Sequence, residues 1–273
     1  MGQAAAVLIF LTVFAAFHTR CAAALSARTA WRERLRAQRH IRPHVNPLQR
    51  RFDLSHTSVS LDHVDFEEDL PVHIDIGCGK GHFCLDLAAE RPDLNVVGIE
   101  IREPLVAEAR RLVEGMGVPN VRFVSGSANA LVAPYGRLLA ERNMALVSAS
   151  VQFPDPWPKR RHAKRRLVQS QLVEDLAQAL DPSDGFVWLQ SDVHALAEEM
   201  RDAFVCSGRF EPGGEAADDV RGGGGELLDA EGWTRDEARP FAVRTERERV
   251  AARRAMPTWR SMLRLRGGML AWH

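Results

Sequence analysis

The chain has only four cysteines in 273 residues, and Cys21, Cys78, Cys84 and Cys206 form neither a CxxC pair nor a Cys/His ligand spacing. That argues against a structural zinc and for reduced thiols, small enough to be buried as hydrophobes. No internal repeat is visible. Net charge is also missing, since 36 Lys and Arg meet 36 Asp and Glu. A neutral total argues against a polyanionic partner until the distribution is read. Residues 1–52 contain no lysine and one acid, Glu33, with nine arginines, whereas residues 53–273 hold 27 bases against 35 acids. The bases concentrate at 28–51, 159–166 and 244–266. Local fields of this kind steer polyanions regardless of the sum.

A long apolar run is lacking as well. Ala4 to Phe17 is apolar but too short for a membrane span, and no basic residue precedes it. It reads as the hydrophobic region of a signal sequence. Arg20 to Thr29 follows, rich in Arg, Ala, Ser and Thr and free of acids, which is transit-peptide composition. We take residues 1–30 as a leader, 31–70 as a basic arm and linker, 71–266 as the folded domain and 267–273 as a tail. An apolar content of 45% suits one sizeable domain with such extensions.

From Val72 the pattern alternates. Strands are predicted at 72–76, 96–100, 121–124, 144–153 and 186–190, and helices at 82–90, 104–115, 131–142, 168–180 and 193–204. Strand–helix alternation at this spacing predicts an α/β fold with a doubly wound parallel sheet. Residues 207–239, with Gly213-Gly214 and Gly222 to Gly225, read as a mobile loop. Pro240 to Thr245 and Thr258 to Leu265 are expected to form a terminal strand pair around a short helix.

Three segments carry chemistry. The first is Asp75-Ile76-Gly77-Cys78-Gly79-Lys80-Gly81, a tight turn from strand to helix that lets a ligand approach the backbone. It lacks the third glycine of GxGxxG, so the phosphate fingerprint is not met. An acid ahead of the first glycine suits an ammonium group better than a pyrophosphate. Glu100 ends the second strand, where an acid accepts from a ribose diol. The second segment is Gly126-Ser127-Ala128-Asn129-Ala130, a polar loop after the third strand. The third is Phe153-Pro154-Asp155-Pro156-Trp157-Pro158, with six Lys/Arg and one His in the next eight positions. Its prolines fix φ and remove donors, so the loop is rigid and presents Asp155 at a strand end.

Asp75, the glycines and Glu100 together resemble the cofactor site of class I S-adenosylmethionine methyltransferases. The third segment, with Lys159, His162, Lys164, Arg165 and Arg166, resembles the signature of the tRNA (guanine-N7)-methyltransferases. Further likeness lies in Arg42-Pro43-His44-Val45-Asn46-Pro47-Leu48, in Gln190-Ser191-Asp192-Val193, in Val243 to Glu248 and in Met256 to Arg260. It covers roughly residues 36–266. Ala255 stands where that family often has glycine, and the glycine-rich 213–232 loop departs from it.

The resemblance implies a seven-stranded, mostly parallel Rossmann-like sheet and S-adenosylmethionine as cofactor, held by Asp75, Gly77, Gly79, Glu100 and Asn129. It implies tRNA as partner, with guanine 46 of the variable loop held by Asp155, Lys159, Asp192, Thr245, Glu246, Arg247 and Glu248. Arg160, Arg161, Lys164, Arg165 and Arg166 would meet the tRNA backbone. No metal and no obligate protein partner are expected, and no stable membrane association once the leader is removed. Guanine N7 is already an unprotonated acceptor, so the reaction is a problem of positioning more than of deprotonation. Asp155 is therefore expected to orient the base and stabilise its developing positive charge, with proton abstraction as the alternative. Asp192 could in addition cap the following helix. The alternatives are another class I methyltransferase and a tRNA-binding protein with a dead pocket. A tRNA enzyme has no substrate in a secretory lumen, so the leader is read as the bipartite type of complex algal plastids. The alternatives are the secretory pathway and the mitochondrion.

Overall fold

The computed structural model describes residues 45–49, 65–66, 69–213 and 228–266. The proposed leader, most of the basic arm, the glycine-rich stretch 214–227 and the tail lie outside the described residues. Seven strands form one sheet: β1 Val72–Ile76, β2 Asn95–Glu100, β3 Val121–Ser125, β4 Leu146–Gln152, β5 Phe186–Ser191, β6 Phe210–Pro212 and β7 Trp259–Leu265. Their order is β3-β2-β1-β4-β5-β7-β6, and β7 runs antiparallel to both of its neighbours. Helices α1 His82–Glu90 and α2 Glu103–Met116 follow β1 and β2; α3 Ala128–Glu141, α4 Ser170–Ala179 and α5 His194–Cys206 follow β3, β4 and β5. α6 Glu246–Arg253 precedes β7.

The sheet has an apolar cluster on each face. One joins Ile74, Ile76, Val97 and Ile99 to Tyr135, Leu139, Leu172, Leu176 and Phe204 of α3, α4 and α5. The other joins Val96, Val121 and Phe123 to Phe83, Leu87, Val106 and Ala109 of α1 and α2. Successive strand residues face opposite sides, so one five-residue strand supplies both layers. The turn into α1 needs glycine. Gly81 has φ +76°, and a Cβ there would come within 2.5 Å of the Phe123 ring.

The C-terminal expectation is corrected in part. β7 is present, but Pro240 to Thr245 is not a strand, because β5 and β6 occupy both edges of β7. That segment instead buries Phe241 against His73 and Phe83, with ring centroids 4.8 and 5.9 Å apart. The partner strand β6 was missed, being three residues that end in proline. It is held by Phe210, fully buried edge-on to Phe204, a burial worth roughly 2–3 kcal/mol. Residues 228–239 are likewise not a loose loop: Trp233 and Thr234 are buried, and Thr234 N–H donates to Arg260 O at 2.8 Å.

Candidate active site

β1 and β4 are adjacent, but their following helices pack on opposite faces, which opens a crevice beyond their carboxyl ends. Two cavities fill it. A larger cleft of about 840 Å³ is lined by Asp75, Gly79, Gln152, Asp192 and Thr245 to Arg247. A smaller one of about 150 Å³ is lined by Glu100, Ile101, Asn129, Leu167 and, from the N-terminal arm, Val45 and Pro47. Gly77, Arg102, Phe153, Pro154 and Asp155 line both. The Pro154-Asp155-Pro156 turn is thus the wall between them.

That turn is held at both ends. Phe153 N–H donates to Gln190 O at 2.8 Å, continuing the β4–β5 ladder. Phe153 and Trp157 have φ of 51° and 40°, a region bulky side chains rarely adopt. Such strain survives only where surrounding contacts enforce it. Arg166 supplies several, donating to Pro156 O and Trp157 O at 3.2 and 3.3 Å and pairing with Glu199 of α5. The Arg165 guanidinium lies 5.1 Å from the centre of the Trp157 ring.

Asp75 is buried at the end of β1. Its Oδ1 accepts from Ser150 Oγ at 2.6 Å and Gln152 Nε2 at 3.0 Å, while Oδ2 receives the Cys84 thiol at 3.6 Å. Burial pushes its pKa up, and those hydrogen bonds only partly oppose the rise. Glu100 accepts four bonds, from Gly79 N–H at 3.0 Å and from Arg102 through its N–H, Nε and Nη2 at 3.0, 2.8 and 3.1 Å. Asn129 donates to Leu167 O at 3.0 Å, and its buried Oδ1 has no hydrogen-bond partner among the described residues. An unsatisfied acceptor on a residue lining the small cavity suits an exocyclic amine of adenine, and Asp75 Oδ2 suits an ammonium group. The residues therefore fit S-adenosylmethionine.

On the opposite wall, Asp192 pairs with Arg247, and Glu246 lies 3.5 Å from His82 Nδ1. Arg249 reaches Asp86 of α1 at 3.2 Å, fastening α6 to α1.

Several expected roles change. Glu248 does not line the cleft. It is buried, closes a capping box with Thr245 and pairs with Arg239, so its acceptor capacity is spent on α6. Asp192 makes no cap on α5; Ser191 Oγ accepts from Val193 N–H instead. Lys159 is exposed and lines neither cavity, so it groups with Arg160, Arg161 and Lys164 on the outer face. Arg166, expected on tRNA, braces the proline turn, and Arg165 packs on Trp157. Arg102, Ser150, Gln152 and His73 were missed. The sign was available, since polar residues alternate in Ser148-Ala149-Ser150-Val151-Gln152 and in His73-Ile74-Asp75 within otherwise buried strands.

A family model described as "Putative methyltransferase" matches residues 69–219. A tRNA (guanine-N(7)-)-methyltransferase of Microcystis aeruginosa is 38% identical over 232 residues, 84% of this chain and 100% of the relative. The chain belongs to the tRNA (guanine-N7)-methyltransferase family. The Synechococcus elongatus member is 37% identical over 226 residues, 83% of this chain and 96% of that one. A Synechocystis member is 41% identical over 174 residues, 64% of this chain and 81% of its own. The sheet order is that of a class I methyltransferase, and S-adenosylmethionine is the cofactor.

Proposed function

We propose that the protein methylates N7 of guanine 46 in the tRNA variable loop, and does so in a plastid. The observation that carries the reading is the position of Asp155. It lies in the wall shared by the cofactor residues and by the cleft that Asp192, Thr245, Glu246 and Arg247 line. S-adenosylmethionine supplies an electrophilic sulfonium methyl when bound. Asp75 would hold its ammonium, Glu100 its ribose hydroxyls and Asn129 its adenine. The guanine would enter the larger cleft with N7 toward the shared wall.

Asp155 and Asp192 then accept from N1–H and the N2 amine, donors that adenine does not offer in that arrangement. As N7 takes up the methyl group the ring becomes cationic, and the Asp155 carboxylate stabilises that charge where it develops. No proton has to leave N7, so orientation supplies most of the acceleration. Arg160, Arg161 and Lys164 project from the exposed 3-10 turn Arg160–Arg165 beside the cleft mouth and would bind phosphates. The plastid reading rests on the leader composition and on the cyanobacterial origin of the relatives.

The test is a protein comprising residues 31–273, supplied with S-adenosylmethionine and unmodified tRNA. Borohydride and aniline treatment should cleave the product at the variable-loop guanine. Methyl transfer without scission there, or transfer that persists after nuclease treatment, overturns the reading.

A further inference from the structure

Behind Asp75 the β1–β4 register sets His73 opposite Ser148 and Asp75 opposite Ser150. All four side chains are buried, and Phe241 and Phe83 close over the imidazole. His73 Nδ1 is 2.8 Å from Ser148 Oγ, and Nε2 is 3.0 Å from Ser150 Oγ. Ser150 Oγ is 2.6 Å from Asp75 Oδ1, and Gln152 Nε2 reaches both of them, at 3.0 Å to Asp75 and 3.3 Å to Ser150.

With Asp75 ionised, donor counting fixes every proton in this chain. An ionised carboxylate only accepts, so Ser150 gives its single proton to Asp75. The Ser150 lone pairs then accept from Gln152 and from His73. That assigns the imidazole proton to Nε2 and makes Nδ1 the acceptor for the Ser148 hydroxyl. Burial holds His73 neutral, with its pKa lowered to about 3, so the imidazole offers one donor and one acceptor. The strong bonds are donated to Oδ1, and Oδ2 is left to the cleft with only the weak Cys84 thiol contact.

We infer that His73, acting through Ser150, is a positioning residue for the cofactor's amino group: it locks the Ser150 proton onto Asp75 Oδ1 so that Oδ2 is presented to the ammonium. The inference rests on Asp75 holding that ammonium. Other groups facing Asp75 are Cys84 on α1, Cys78 in the turn, and Glu100 with its Arg102 fork. Burial drives the Cys84 thiol well above its ordinary value. The Cys78 thiol is pulled down by its bond to Cys84, but burial and the two carboxylates outweigh that and raise it.

The test is calorimetric binding of S-adenosylhomocysteine and of methylthioadenosine, which lacks the amino-acid moiety, to the protein and to its His73→Phe, His73→Gln, Ser150→Ala and Asp75→Asn variants. Ser150→Ala removes a donor to the buried charge and His73→Phe releases the Ser150 hydroxyl from its fixed orientation, so each should weaken S-adenosylhomocysteine about tenfold. Methylthioadenosine should bind unchanged, and kcat at saturating cofactor should stay near that of the parent. His73→Gln, whose amide can accept from Ser148 and donate to Ser150, should recover most of the affinity. Asp75 deprived of the donor protonates at higher pH, so the pH below which S-adenosylhomocysteine affinity falls should move up in both weakened variants. Parallel loss of both ligands, or an unmoved pH profile, overturns the inference. If His73→Phe does not fold, Ser150→Ala decides alone. Undiminished binding by Asp75→Asn overturns the assignment of Asp75 itself. Weak binding by Asp75→Asn with normal binding by the His73 and Ser150 variants overturns only the positioning role.

Discussion

The Arg102 guanidinium forks onto the Glu100 carboxylate, with Nε 2.8 Å from Oε1 and Nη2 3.1 Å from Oε2. With Gly79 N–H and Arg102 N–H added, all of the roughly four acceptor positions of that carboxylate are taken. A ribose diol can bond Glu100 only by displacing part of the fork. Burial lowers the Arg102 pKa, but Glu100 and Asp155 outweigh it and raise the value, and Arg102 lines both cavities.

Removing the competitor should therefore help the cofactor. Arg102→Ala is expected to bind S-adenosylhomocysteine several-fold more tightly at pH 8, while thermal stability falls because a buried carboxylate is deprived of its charged partner. Weaker binding in calorimetry would show that the fork assists the ribose.

Asp155→Ala should lower kcat by about a hundredfold to a thousandfold, the usual cost of removing one group that stabilises transition-state charge. Filter binding of tRNA should change little, because phosphates supply most of the affinity. A comparable drop in both measurements would make Asp155 an anchor for ground-state binding.

The basic block divides into two groups. Replacing Arg160, Arg161 and Lys164 together should weaken tRNA binding and reduce the slope of log K against log salt by about two to three, close to one for each phosphate that is no longer neutralised. Arg166→Ala should leave that slope unchanged and lower kcat and thermal stability, since its donors hold the proline turn and Glu199. Equal salt slopes in the two variants would contradict the division.

Asp236 gathers Arg239, Arg244 and Arg260 beside Glu248. Burial pushes Asp236 up, but the hydrogen bond from Arg244 and the charges of Arg260 and Arg239 bring it below its ordinary value. A lowered folded-state pKa contributes stability that is present above the unfolded value of 3.8 and is lost as pH falls through the folded one. Urea unfolding should show the parent losing stability more steeply than Asp236→Asn as pH falls below the unfolded value of 3.8. Glu248→Gln should cost about 3 kcal/mol at neutral pH, as expected for breaking a buried ion pair.

A fusion of residues 1–50 to a fluorescent protein should accumulate in plastids. An endoplasmic-reticulum pattern alone would refute the proposed destination.

Much of this was determined by the sequence alone. Strand–helix alternation marked β1 to β5, and the glycine turn, the acid at the end of β2 and the proline–aspartate loop each carry a local mechanism that needs no partner to be read. The roles of individual charges were not local. Glu248 and Asp155 are both acids near the family's expected guanine site, but a capping box and Arg239 withdraw the first from the cleft. Arg166 and Arg160 belong to one basic run, and only the packing of α5 turns the former inward onto Glu199. β6 was illegible because three residues carry no periodicity, and Phe210 finds its partner only once α5 is docked. The polar alternation in β1 and β4 was written in the chain, but its meaning required the sheet order. Residues 73 and 148 are 75 positions apart, and adjacency of β1 and β4 is what converts His73, Ser148, Ser150 and Asp75 into one hydrogen-bonded chain.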